Sequence, residues 1–206
     1  MKKVLLHICC GVCASSCVEN LHSQGFYVVG FFFNPNIHPF EEYQRRKENL
    51  KLIKEKFSLE IIEGEYNPRE WFKICKEYAK EKEGGRRCLL CYEIRLKQTQ
   101  KLCESFGFNF FTTTLTVSPH KKAEMVFNVG KKLDEKRFLE IDFKKNDGFK
   151  KAIEFAKKYN LYRQDYCGCV YSFQERKWKR SFTPVSYTHL RAHETRHDLV
   201  CRLLLE

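Results

Sequence analysis

Short apolar runs, rich in β-branched and aromatic residues, recur along the chain at positions 4–8, 27–33, 59–62, 108–114 and 138–141. Each has the length of a strand, and none carries enough polar alternation for a sheet with one wet face. The intervening segments repeat their apolar positions with the helical period. Asn67-Pro68-Arg69-Glu70 predicts a helix start, with Asn67 as N-cap, Pro68 in the first position and Glu70 closing a capping box. Ser118-Pro119 predicts the opening of another, whose apolar face is Ala123, Val126, Phe127 and Leu133; a third begins near Gly148, with Phe149, Ala152, Ile153 and Ala156 on one side. Gly84-Gly85-Arg86-Arg87 breaks a helix and leaves Cys88 in the first turn of the next, where Leu89, Tyr92, Leu96, Thr99 and Cys103 form the core stripe. Strands alternating with helices predict an α/β fold over residues 1–180, one domain built on a parallel sheet with helices on both faces. Ligands then belong at the carboxyl ends of the strands, where Cys10 and Asn34 fall.

The segment 181–206 breaks this pattern. It holds three of the seven histidines and balances Arg191, Arg196 and Arg202 against Glu194, Asp198 and Glu206. His189, His193 and His197 recur every four residues, a spacing that suits a helical metal site. The run Ser-Tyr-Thr-His-Leu-Arg-Ala-His-Glu-Thr nevertheless resembles translated adapter read-through, so the segment is expected to be a non-native tail.

Composition narrows the partners. The net charge of +12, all of it carried by the body of the chain, favours a polyanion, because neutralising phosphates releases counterions. Clusters at Arg45-Arg46-Lys47, Arg86-Arg87, Lys144-Lys145 and Lys177-Trp178-Lys179-Arg180 point to nucleic acid. No apolar run approaches the roughly 20 residues of a membrane span. The eleven cysteines are an odd number in a chain too long to need disulfide staples, and its start does not read as a signal peptide. The expected setting is a reducing cytoplasm.

Six of those cysteines form three tight pairs. Cys88-Leu-Leu-Cys91 places two thiols one turn apart at a helix start, where the dipole is expected to depress their pKa values. Cys9-Cys10 ends the first strand, and Gly11 lets the backbone turn into the next helix. Neighbouring strand residues point to opposite faces, so adjacent cysteines share a site only where strand gives way to turn. Four thiolates from two distant segments suit a Cys₄ zinc site or an iron–sulfur cluster, and the adjacent pair favours the cluster. Cys167-Gly168-Cys169 differs: a disulfide across one residue closes a small, easily reduced ring, which suits a redox-active pair, although two sulfurs could also face one ion. Cys13 and Cys17, one turn apart after Gly11, lie near the chemistry; Cys75 and Cys103 fall on apolar helix faces as packing residues. His7 reads as a satisfied core histidine, and His38 and His120 as candidates for proton transfer.

Longer motifs carry a family resemblance. Leu6-His7-Ile8-Cys9-Cys10-Gly11, Asn34-Pro35-Asn36-Ile37-His38-Pro39 with Glu42-Tyr43-x-x-Arg46, Arg87-Cys88-x-x-Cys91-Tyr92-x-x-Arg95-Leu96, Thr112-Thr113-Thr114-Leu115 with Ser118-Pro119-His120-Lys121, Asp142-Phe143-Lys144-Lys145, and Tyr162-Arg163-Gln164-x-Tyr166-Cys167-Gly168-Cys169-x-Tyr171-Ser172 together resemble the QueH-type epoxyqueuosine reductases, over roughly residues 3 to 176. The resemblance implies a Rossmann-like fold similar to the adenine-nucleotide-hydrolase group. It implies reduction of the epoxide of epoxyqueuosine, at the wobble position of tRNA, to the alkene of queuosine. The implied cofactors are a [4Fe–4S] cluster, on Cys9, Cys10, Cys88 and Cys91, and an additional mononuclear iron. Cys167 and Cys169 match a redox-active disulfide. Cys10-Gly11-Val12-Cys13-Ala14-Ser15 stands where ATP-using relatives carry a phosphate loop, which argues against ATP.

The expected partners are the anticodon stem-loop of tRNA and an unidentified electron donor. His38, His120 or Tyr166 is expected to protonate the departing oxygen, and Tyr43 or Tyr92 to stack on the extruded base. Two other readings stay open: a cluster-containing tRNA sulfur-insertion enzyme, and a zinc-stabilised RNA-binding module.

Overall fold

The computed structural model describes residues 1–181. All but the first residue of the expected tail, Cys201 included, and the side chains of the Lys177-Trp178-Lys179-Arg180 cluster lie outside that description. The elements are strands β1 (Lys3–His7), β2 (Tyr27–Phe32), β3 (Glu60–Glu63) and β4 (Phe110–Thr113), and helices α1 (Gly11–Ser23), α2 (Phe40–Phe57), α3 (Pro68–Cys75), α4 (Arg86–Ser105), α5 (Ala123–Asp134), α6 (Gly148–Lys158) and α7 (Val170–Ser181). The four strands form one parallel sheet in the order β3-β2-β1-β4. Helices α1, α2 and α6 pack together, and α3, α4 and α5 form a second group. The sheet between helices is the α/β, Rossmann-like architecture expected, and it explains why four of the five residues of β1 are buried. Among the described residues no helix is long and apolar enough to cross a membrane.

Sequence order reverses at β1, which has β2 on one side and β4 on the other. The crevice beyond the carboxyl ends of β1 and β4 is therefore the switch point at which such sheets bind ligands. Cys9 and Cys10 leave β1 there, and Thr113 and Thr114 leave β4 beside them.

Two predicted elements come out differently. The run at 138–141 is not a strand; Phe138 makes a single parallel bridge to Phe111. The Leu139 carbonyl, which a longer ladder would need, accepts instead from the Thr112 hydroxyl at 3.0 Å and from the Ile141 N–H at 3.1 Å, which bends the chain away. Ser118-Pro119 does not open α5. It forms its own turn, closed by Lys121 N–H to the Ser118 carbonyl at 3.1 Å, and the helix starts at Ala123. Lys144 Nζ holds the Thr116 and Lys121 carbonyls at 3.0 and 3.1 Å, so these acceptors are already taken. The Asn67 cap stands as predicted, its side chain accepting from Arg69 N–H at 3.2 Å.

Candidate functional site: cysteines around two adjoining cavities

Cys10 is the N-cap of α1, and its sulfur accepts from Cys13 N–H at 3.4 Å. The cap therefore draws the turn in on itself, and the sulfurs of Cys9, Cys10 and Cys13 lie within 4.8 Å of one another, all buried. Thr114 fixes the first of them: its hydroxyl oxygen accepts from Cys9 N–H at 3.0 Å and donates to the Cys9 sulfur at 3.2 Å. Hydrogen bonds from Cys10 and Cys13 hold Cys9 well below the usual thiol range. The hydrogen bonds that Cys13 gives to Cys10 and Cys9 push its own thiol well up. Three sulfurs this close make a soft donor set from which a thiophilic metal displaces the thiol protons. Cys17, one turn further along α1, is fully buried but does not join this triad.

Cys9 and Cys13 of the triad open on a cavity of about 730 Å³, lined also by Arg46, Thr114, His120, Phe149, Gln164 and Cys167. Gln164 Nε2 donates to the Cys10 sulfur at 3.0 Å while its Oε1 has no partner. Cys167 belongs equally to a second, much smaller cavity of about 20 Å³ with Cys88, Cys91 and Cys169. Glu83 and Lys121 line both. Cys9 in the large cavity and Cys88 and Cys91 in the small one thus adjoin Cys167, which lines both. The Cys88 and Cys91 sulfurs stand outside the close group of Cys9, Cys10 and Cys13, and the field of Arg95 reaches both sets. This guanidinium is buried, donates to the Cys91 carbonyl at 3.1 Å and sits in the field of Cys91, Cys9 and Cys167. A buried cation so placed compensates the negative charge that thiolates, or thiolates around a metal, bring with them.

The Cys88 and Cys91 side chains lie where α4 begins, as predicted, but the expected acidic thiol at Cys88 is overturned. Burial pushes Cys88 up to about 11, and the hydrogen bond from Gly84 N–H at 3.2 Å does not offset it. Arg87 secures this helix start. Its Nη1 donates to the Ala79 and Glu81 carbonyls at 2.8 and 2.5 Å, and its Nη2 pairs with Glu175 at 3.3 Å, which ties α4 to α7. Buried Asn36 Oδ1 and Trp71 Nε1 face the small cavity without partners. Cys75 packs there against Trp71, and Cys103 lies in the main core, both as packing residues.

The Cys167 and Cys169 sulfurs are 3.5 Å apart. A hydrogen bond from Cys169, with Lys121 nearby, holds Cys167 well below the usual range, and the same bond raises Cys169. The contact therefore favours the thiolate at Cys167 over that at Cys169.

The acid candidates separate. His120 is exposed and lines the large cavity. His38 is only half-buried, but its ring lies against Trp71 and Phe72 with centroids 5.5 and 4.5 Å away, and its Nδ1 meets the Asn36 carbonyl at 2.7 Å. Tyr166 lines the cavity, but its hydroxyl donates to the His38 carbonyl. His7 is the satisfied core histidine expected, between Thr113 Oγ1 at 2.8 Å and the Phe33 carbonyl at 3.2 Å, and burial lowers it to about 3. Neither Tyr43 nor Tyr92 can stack on a base, since each is 5 % exposed. Tyr43 is packed against Tyr66 at 4.2 Å and Phe32 at 5.2 Å. Phe149, 40 % exposed, is an aromatic on the wall of the large cavity.

Comparison with known proteins gives the family. The family described as "Epoxyqueuosine reductase QueH" matches residues 4–175. Proteins named epoxyqueuosine reductase QueH are similar over most of the chain. That of Thermotoga maritima is 35 % identical over 187 residues, covering 88 % of this chain and 95 % of the relative. That of Staphylococcus aureus is 38 % identical over 181 residues, with 82 % and 75 % covered, and that of Streptococcus pyogenes 35 % over 178, with 82 % and 69 % covered. The matched span contains both cysteine-lined cavities, and the chain belongs to the epoxyqueuosine reductase QueH family, a family of oxidoreductases.

Proposed function

We propose that this chain reduces the epoxide of epoxyqueuosine, at the wobble position of tRNA, to the alkene of queuosine. The observation that carries this reading is one cavity, large enough for a modified nucleoside, that is lined both by Cys9 and Cys13 of the buried thiol triad and by Cys167 of the dithiol. Removing the oxygen takes two electrons and two protons and releases water. Cys9, Cys10, Cys88 and Cys91 would hold a [4Fe–4S] cluster, with Cys13 adjoining, and Arg95 would neutralise part of its charge. The thiol-only donor set suits such a cluster, which when bound supplies electrons one at a time, while an adjacent mononuclear iron adds Lewis acidity. Cys167 and Cys169 serve as a redox-active pair. The electron donor is a separate protein or reductant, and a tRNA substrate assigns the chain to the cytoplasm.

His120 is the proton donor in this reading, because it alone of the three candidates is exposed on the cavity with no hydrogen bond engaging its ring. Phe149 takes the stacking role, which is sequence-tolerant and adds about 1–3 kcal/mol per base. His120→Gln is therefore expected to lower kcat by about 10²-fold with KM little changed. Phe149→Ala should instead raise KM about tenfold and leave kcat nearly intact. Steady-state rates with epoxyqueuosine-containing tRNA separate the two, and the reverse assignment of effects would refute both roles.

The function is tested by anaerobic incubation of the iron-loaded protein with that tRNA and a strong one-electron reductant, followed by nucleoside mass spectrometry. Queuosine is the expected product; unchanged epoxyqueuosine from fully loaded protein refutes the reading. Metal content separates the rivals. Zinc without iron would favour an RNA-binding module, and ATP-dependent thiolation of tRNA would favour sulfur insertion.

A further inference from the structure

Glu42 and Arg46, one turn apart on α2, have no role in the chemistry so far, yet Arg46 is buried against the dithiol loop. Its side chain is 2 % exposed. Every arm of the guanidinium is engaged: Nε donates to Glu42 Oε1 at 2.7 Å, Nη1 to the Cys167 carbonyl at 3.2 Å and Nη2 to the Tyr166 carbonyl at 3.1 Å. The other Glu42 oxygen accepts from the Tyr162 hydroxyl at 2.5 Å. Asn49, a turn further along α2, holds Tyr162 through both its backbone groups, at 2.7 and 3.3 Å. One helix face thus grips the segment from Tyr162 to Cys167, which is about 120 residues distant in sequence.

The grip sets the backbone at the next residue, Gly168. In extended backbone, residues two apart point the same way but stand too far apart for their sulfurs to bond. Here the chain bends at Gly168, with φ of +112°, a conformation that side chains rarely adopt. A Cβ at Gly168 would lie 3.0 Å from Ile37 Cγ1 and 3.1 Å from Arg46 Nη1, so α2 and the Ile37 loop close tightly over the bend. The Gly168 carbonyl accepts from His38 N–H at 2.7 Å, which fixes the far side. The result is the 3.5 Å approach of the two sulfurs.

We propose that the Glu42–Arg46 pair is the positioning device of the Cys167-Gly168-Cys169 dithiol, holding its backbone bent so that Cys169 closes on Cys167 in preference to any outside thiol. The proposal rests on the reading of these cysteines as a redox-active pair. With a glutathione disulfide as oxidant, the Cys167 thiolate attacks one sulfur and releases one glutathione. Cys169, giving up its proton, then attacks the Cys167 sulfur of the mixed disulfide and releases the second. The two protein thiols lose two electrons and the glutathione disulfide gains them, the two protons ending on the glutathiones. Only the second step depends on the bend. Lysine cannot replace arginine here, since one nitrogen cannot reach three acceptors set around a planar fork.

The test uses holoenzyme purified anaerobically, equilibrated in buffers of reduced and oxidised glutathione, quenched with iodoacetamide and digested with trypsin. Cleavage after Arg163 and Arg176 gives a peptide, residues 164–176, that contains these two cysteines and no others. Mass spectrometry then reads the ratio of internal disulfide to glutathione adduct at that site. Arg46→Met is expected to lower this ratio about tenfold, the scale set by losing charge-assisted bonds to both carbonyls, and Arg46→Lys to fall between it and the parent. Ile53→Val, in the buried face of the same helix about two turns beyond Arg46, should leave the ratio unchanged. An unchanged ratio in Arg46→Met, or an equal fall in Ile53→Val, overturns the positioning role and leaves the dithiol itself standing. Absence of the internal disulfide from the parent protein at every glutathione ratio overturns the redox reading and the clamp together.

Discussion

Replacing Cys88 by Ala is expected to strip anaerobically purified protein of its broad visible absorbance, of most of its iron and inorganic sulfide, and of its turnover. The effect should be nearly complete if Cys88 is the cluster ligand proposed, because such a ligand is also part of what holds the site together. Cys88 is 8 % exposed and lies in the first turn of α4, where Arg87 ties the helix start to three backbone carbonyls and to Glu175. Ala keeps the helix and removes only the sulfur, so a melting temperature close to that of the parent would show that the loss is local. A thiol pushed up to about 11 by burial has little reason to stay charged unless a metal takes the proton's place. Two controls sharpen the result. Cys103→Ala, in the main core, should lose some stability and no iron, since it lines neither cavity. Cys13→Ala asks whether the third thiol of the triad is a ligand or a neighbour. Iron and sulfide contents undiminished in Cys88→Ala would remove that cysteine from the ligand set, whatever happened to the rate.

The parts of this molecule that were legible in its sequence are those written in short-range pattern. Four apolar runs became the four strands, and the helix starts at Asn67 and Gly148 fell where their local chemistry put them. The Cys88 turn was legible for the same reason. Failures occur where a distant group captures a backbone acceptor. Thr112 takes the Leu139 carbonyl and ends a strand before it forms; Lys144 takes the Thr116 and Lys121 carbonyls and delays α5 to Ala123. Neither pairing has a signature within a window of a dozen residues. The same holds at the site. Cysteine spacing pointed to the three pairs, but the sequence carried no sign that Thr114 would hold Cys9 or that Arg46 would hold Cys167, across 105 and 121 residues respectively. Helical spacing placed Phe149 on an apolar face, but it does not say whether such a face looks into a core or into a cavity.

Gly11 carries the second large expectation, and for a different reason from the one its position suggested. A glycine after Cys9-Cys10 reads as a turn residue, yet Gly11 is the first residue of α1 in ordinary helical backbone, and what it supplies is closeness. A Cβ there would lie 2.7 Å from the Asn49 Cβ and 3.1 Å from both the backbone carbon and oxygen of Asn49. These are not the far ends of a flexible side chain, so Gly11→Ala must push α1 and α2 apart. Overpacking of this kind costs about 1–3 kcal/mol. For a chain of this length that corresponds to a melting temperature lower by about 3–10 °C, which scanning calorimetry would read. The displacement reaches the chemistry from both sides. Cys10, the cap of α1, moves with that helix, and Asn49, which holds the Tyr162 backbone, moves with α2. Gly11→Ala should therefore lose iron and turnover together even at about 20 °C, well below its transition, whereas a mutation that only loosens the core would keep both at that temperature. A variant that melts lower but retains full iron and full rate would show that the α1–α2 contact supports the fold without setting the site.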